Sequence, residues 1–132
     1  MPFVPHVLIV DDDPDAVEAM TAAAKAHGRA VRVVTHGGAA LDDISRQMPE
    51  LVICAMDVAM MGGLELFIHL RTKYGQAAPP ILLTSRGTRP SGMRWRGVVA
   101  ELPKHQVPEK LGAVLTAVSD WVPPAQRARS SA

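Results

Sequence analysis

Five short, mostly apolar runs punctuate the chain: HVLIV (6–10), AVRVV (30–34), LVICA (51–55), ILLT (81–84) and VVAEL (98–102). Each has strand length. The segments between them carry helical spacing. Asp13 suits a helix cap and Pro14 a first helical position. Val17, Met20 and Ala24 then share one face until Gly28 ends the helix. THGG reads as a turn, and a second helix is expected over 40–48, ALDDISRQM, stopped before Pro49. A third is expected over 64–75, with Gly75 as its stop. The last runs over 108–122, where Leu111, Val114, Leu115, Val118 and Trp121 mark one face.

Strand and helix thus alternate along the chain, and the strands are continuous apolar runs rather than alternating ones. That pattern predicts an α/β fold: a doubly wound, five-stranded parallel sheet with helices on both faces. One helix departs from the alternation. The segment RGTRPSGMRWRG (86–97) holds Pro90, Gly87, Gly92 and Gly97. A fourth helix there is expected to be short or lost. One domain is expected over 1–122, and PPAQRARSSA (123–132), without apolar pattern, reads as a flexible tail.

Composition narrows the class. With 132 residues and 48% hydrophobic content, a real core is expected without disulfide staples. A net charge of +1 gives no general attraction to nucleic acid, which is not the expected partner. The single cysteine, Cys54, cannot pair internally and reads as a core residue in a reducing, cytoplasmic protein. No apolar run approaches the roughly 18 residues of a membrane span. No secretion signal or attached output domain is seen, so a stand-alone domain is expected.

In sheets of this kind function gathers beyond the carboxyl ends of the strands. The first strand delivers Asp11 and Asp12, and the third delivers Ala55, Met56 and Asp57. The fourth delivers Thr84 and Ser85, and the fifth delivers Lys104. Oxygen ligands suit Mg²⁺, a hydroxyl can bond a phosphoryl oxygen, and a lysine supplies a point charge.

These pieces, VLIVDDDP, PELVICAMDVAMMGGLEL, ILLTSRG and ELPKH, resemble in order and spacing the flavodoxin-like receiver domain of two-component response regulators, from about residue 6 to 121. The resemblance implies that Asp11 and Asp12 hold Mg²⁺. It also implies that Thr84 is the hydroxyl that turns to a phosphoryl group and that Lys104 pairs with that group. Laid without a gap, the phosphoacceptor position of the family falls on Ala55. Asp57 falls two places later, where the family offers a backbone carbonyl to the metal.

Two strand residues span about 6.6 Å, whereas reacting groups must approach within roughly 3–3.5 Å. Asp57 is therefore read as a bystander, with a shifted acceptor at Asp57 as the alternative. The family's aromatic switch position is Glu101, and the proline after the lysine is His105. Without proline a cis bond costs about 2.5–4 kcal/mol, so the Lys104–His105 bond is expected to be trans.

The resulting expectation is an atypical receiver without the usual acceptor, not an enzyme. It would be a phosphorylation-independent interaction module in signalling. No cofactor is required, and Mg²⁺ binds weakly to Asp11 and Asp12 with the Asp57 backbone. The plainer alternatives are that Asp12 pairs with Lys104, and that Thr84 and Ser85 only satisfy a strand end. From Leu66 to Ala100 there is no acid, while Arg86, Arg89, Arg94 and Arg96 surround Trp95. These residues, with Glu101, form the expected docking site for another signalling protein: a histidine kinase, a regulator, an output protein or a second copy. The plainer alternative is a solvated loop.

Overall fold

The computed structural model describes residues 6–58, 60–86 and 97–120. In chain order they form β1 (His6–Val10), α1 (Pro14–Ala26), β2 (Ala30–Val34), α2 (Gly37–Arg46), β3 (Leu51–Ala55), α3 (Gly63–Tyr74), β4 (Ile81–Ser85), β5 (Val98–Pro103) and α4 (Val107–Asp120). Single 3-10 turns occupy Gly75–Ala77 and Lys104–Gln106. The expected fourth helix, over 86–97, falls almost wholly outside the described residues. Trp121 and the 123–132 segment lie outside them as well.

The strands form one sheet in the order β2-β1-β3-β4-β5, with every neighbour parallel. The chain runs outward from β1 to β2, then returns past β1 to β3. The order reverses between β1 and β3, which makes the crevice above them the natural binding edge.

Alternation along the strands sends side chains to two helix layers. Leu8, Val10, Val52, Cys54, Ile81 and Leu83 pack under α2 and α3, through Ala40, Ile44, Leu66, Phe67 and Leu70. Val7, Ile9, Leu51, Ile53 and Leu82 pack under α1 and α4, through Met20, Ala24, Leu111, Val114 and Leu115. β1 and β3 are buried along their whole length, because both faces are covered. β2 is an edge strand, and there Arg32 and Val33 are exposed.

α1 starts as its residues dictate, with the Asp13 side chain accepting from Asp15 N and Pro14 in the first turn. α2 starts three residues before the expected position and stops two before its expected end. Gly37 and Gly38 belong to the helix because His36 caps it: His36 Nδ1 accepts from Ala39 N at 3.1 Å. Gly37 is needed for close approach rather than for a turn, since a Cβ there would lie 2.6 Å from Met61 Cγ. α3, β4 and α4 differ from the expected bounds by a residue or two.

Candidate functional site

The register of the sheet assembles the site. Val10 pairs with Cys54, Ala55 with Thr84, and Thr84 with Leu102. One step past Val10, Asp11 N still donates to Val34 O of β2, at 3.1 Å. Asp11, Ala55 and Thr84 therefore form one row across β1, β3 and β4 at the carboxyl edge.

Lys104 is the first residue after β5, and its Nζ donates to Asp11 Oδ1 at 3.0 Å. Both side chains are withdrawn from water, 9% and 1% exposed. In the sheet order β4 and β3 separate β5 from β1, and each strand step is about 4.8 Å. The lysine thus reaches past the end of β3, where Ala55 presents only a methyl group. A carboxylate at position 55 would stand in that path. Asp13 N donates to the same Asp11 Oδ1, at 2.9 Å. Among the described residues, Asp11 Oδ2 and Thr84 Oγ1 are buried without a hydrogen-bond partner.

The alternative Asp12–Lys104 pair does not form; Lys104 pairs with Asp11 instead. Asp11 prolongs β1 into the buried row, whereas Asp12 turns outward and is exposed. Asp57 lies beyond β3 in a turn, with its side chain 46% exposed. Its Oδ2 accepts from Arg86 Nε at 2.9 Å, and its Oδ1 stands 4.0 Å from Lys104 Nζ. The Arg86–Asp57 contact was not legible beforehand, since no spacing in the sequence links the two. Ser85 is half-buried at the end of β4.

The turn holding Asp57 is built tightly. Met60 and Met61 both take positive φ, 63° and 129°, in regions that cost side-chain-bearing residues about 1–3 kcal/mol each. Gly37 N donates to Met61 O at 3.2 Å and ties this turn to α2. A Cβ on Gly62 would run into Met56 O, so the chain folds back on itself with no room for a side chain. Met60 is exposed, whereas Met56 and Met61 pack partly against the core.

Cys54, on β3, is fully buried, and burial, with the Asp11 charge adding to it, pushes its thiol up to about 12. The described residues contain no cis peptide bond, Lys104–His105 included. Among them, no three His, Cys, Asp or Glu side chains converge to hold a metal ion. Of the expected docking residues, Arg86 is exposed and Glu101 half-buried. Arg89, Arg94, Trp95 and Arg96 lie outside the described residues.

The family model of the response regulator receiver domain matches residues 7–115. The chain belongs to the response regulator receiver domain family. The transcriptional regulatory protein GlrR of Escherichia coli (strain K12) is 29% identical over 117 residues, 87% of this chain and 26% of that protein. The DNA-binding response regulator MtrA of Mycolicibacterium smegmatis is 30% identical over 81 residues, 61% of this chain and 35% of that one. The chain thus spans about a quarter to a third of the length of these relatives.

Solved receiver structures share its fold. Chemotaxis response regulator CheY4 of Vibrio cholerae superposes with a TM-score of 0.75 at 24% identity, covering 88% of this chain and 99% of that one. A two component response regulator from Cytophaga hutchinsonii reaches 0.79 at 17% identity, covering 91% and 100%. This receiver domain is a unit of two-component signalling, and such domains work through contacts with other signalling proteins. No helix among its described residues is long and apolar enough to cross a membrane.

Proposed function

We propose that this receiver acts as a protein-interaction module that does not depend on an aspartyl phosphate. The observation that carries the reading is the buried Lys104–Asp11 ion pair, which passes the end of β3 at Ala55. A lysine free to meet an incoming phosphoryl group is here engaged by a carboxylate of the sheet itself. Asp57 is turned outward, half exposed and paired with Arg86. The role is one of binding, not catalysis.

The Mg²⁺ that receivers use would meet a poor donor set. Asp11 Oδ1 is taken by Lys104 and by the Asp13 amide. Asp12 stands in solvent, and position 55 offers no side-chain oxygen. Octahedral Mg²⁺ asks for several well-placed oxygens. These residues do not fit a tight site, and weak binding with no functional requirement is the expectation. The partner is another signalling protein (histidine kinase, regulator or output protein) or a second copy. It would dock on the 86–104 region and α4, with Arg86 and Glu101 among the contacts.

One observation favours a second reading. Lys104 Nζ lies 4.0 Å from Asp57 Oδ1, so a modest turn of either side chain would make Asp57 a shifted acceptor. Incubation with Mg²⁺ and a small-molecule phosphodonor, read by intact mass, separates the two. An unmodified wild type beside a labelled ordinary receiver supports the interaction module. A phosphoryl adduct that disappears in Asp57→Asn overturns it in favour of the shifted acceptor.

A further inference from the structure

At the opposite, amino-terminal edge of the sheet lies a second polar cluster that the receiver site does not use. His6 opens β1 and is 2% exposed. It has the strand parity of Leu8 and Val10, which places its ring on the α2 and α3 side. Neither ring nitrogen has a hydrogen-bond partner among the described residues, although neutral imidazole offers one donor and one acceptor.

The His6 backbone is fixed from the next segment, where Glu50 N donates to its carbonyl at 3.0 Å. Charged groups from three elements, Arg32, Asp43 and Glu50, act on the ring. β2 contributes Arg32, which is paired with Asp43 of α2. The turn before β3 contributes Glu50, held by Arg29 Nε at 2.6 Å. Asp43 is itself buried, and its Oδ2 has no hydrogen-bond partner among the described residues. β3 brings apolar Val52 and Cys54 to this face, and α3 brings Leu66, Phe67, Leu70 and Tyr74.

We propose that His6 is an acid-sensitive latch, whose protonation loosens the seat of α2 on the β1–β2 edge of the sheet. A neutral imidazole can remain in this dry position. An imidazolium cannot remain there at low cost, because both of its N–H groups would need acceptors and its charge would face Arg32. Burial first, and the Arg32 charge second, hold the His6 pKa below the ordinary 6.5, against the smaller pull of Asp43 and Glu50.

The sign follows from linkage. The unfolded chain takes up the proton at about 6.5 and the native state only at lower pH. The stability of this region is therefore fully present above pH 6.5 and is lost as pH falls below that value. The consequence belongs to α2 and β2, and it does not rest on how the Asp57 site behaves.

The test is amide hydrogen exchange of the full chain between pH 5 and 8, corrected for intrinsic rates, on wild type and His6→Leu. In wild type the opening constants of amides in α2 and β2 should rise below pH 6.5, by up to about tenfold per pH unit for one proton. In His6→Leu that rise should be absent. Equal pH dependence in the two proteins would overturn the proposal. Should His6→Leu fail to fold, an NMR titration of the wild-type imidazole decides. A midpoint below 6.5, with the shifts of α2 amides moving together with it, supports the latch. A midpoint at or above 6.5 sinks it.

Discussion

Asp11 and Asp57 are both aspartates at the carboxyl edge of one sheet, and Lys104 lies within reach of each. Asp11 ends a central strand, is shut off from water, and holds the ammonium at 3.0 Å. Asp57 sits in a tight turn, is half exposed, and stands 4.0 Å from the same ammonium. Attraction between charges strengthens as the surroundings lose water, whereas an exposed pair is screened and contributes about 0–1 kcal/mol. Depth therefore decides which carboxylate owns the lysine. The β1 corner of the site holds a buried ion pair, while the β3 corner presents Ala55 with the half-exposed Asp57 beyond it.

The largest expected effect comes from restoring the β3 corner. Ala55→Asp places a carboxylate in the Asp11–Thr84 row. If the proposed reading holds, the variant should form a phosphoryl adduct that the wild type does not, as read by intact mass with Mg²⁺ and a phosphodonor. An Ala55→Asp protein that folds and stays unmodified would show that the Asp11–Lys104 pair does not support phosphorylation at position 55.

Next in size is the β1 corner itself. Lys104→Ala strands a buried carboxylate and should cost about 3–5 kcal/mol in urea denaturation. Replacing both partners, as Asp11→Leu with Lys104→Met, should recover most of that loss, because two apolar side chains leave no orphaned charge.

The smallest effect is expected at Asp57. Asp57→Asn breaks a pair whose members are 46% and 72% exposed, so the stability change should stay within about 1 kcal/mol. A loss as large as that of Lys104→Ala would erase the contrast between the two aspartates.

The order of strands and helices was legible because it rests on short-range physics. Pro14 and Asp13 start α1, Gly28 ends it at φ 77°, and unbroken apolar runs mark strands covered on both faces. The start of α2 was not legible. The glycines of THGG suggest a turn, yet Gly37 answers to the close approach of Met61, a residue more than 20 positions away. The choice of Asp11 over Asp12 as the lysine partner was within reach. A strand that continues one residue further keeps Asp11 in the buried row, and parity alone then sends Asp12 out. His6 carried a similar signal, as the polar first residue of an otherwise apolar central strand. That its ring nitrogens find no partner among the described residues is a tertiary fact that spacing does not encode.

Cys54 turns the centre of the sheet into a timer. It is the sole cysteine of the chain, lies fully buried on β3, and has its thiol pushed up to about 12. A thiol-directed reagent needs the thiolate and needs access to it, and the folded molecule offers neither. Each covalent label at this position therefore records one excursion in which the central strands came apart. The chain carries its own single-site clock for global opening, with no engineered probe required.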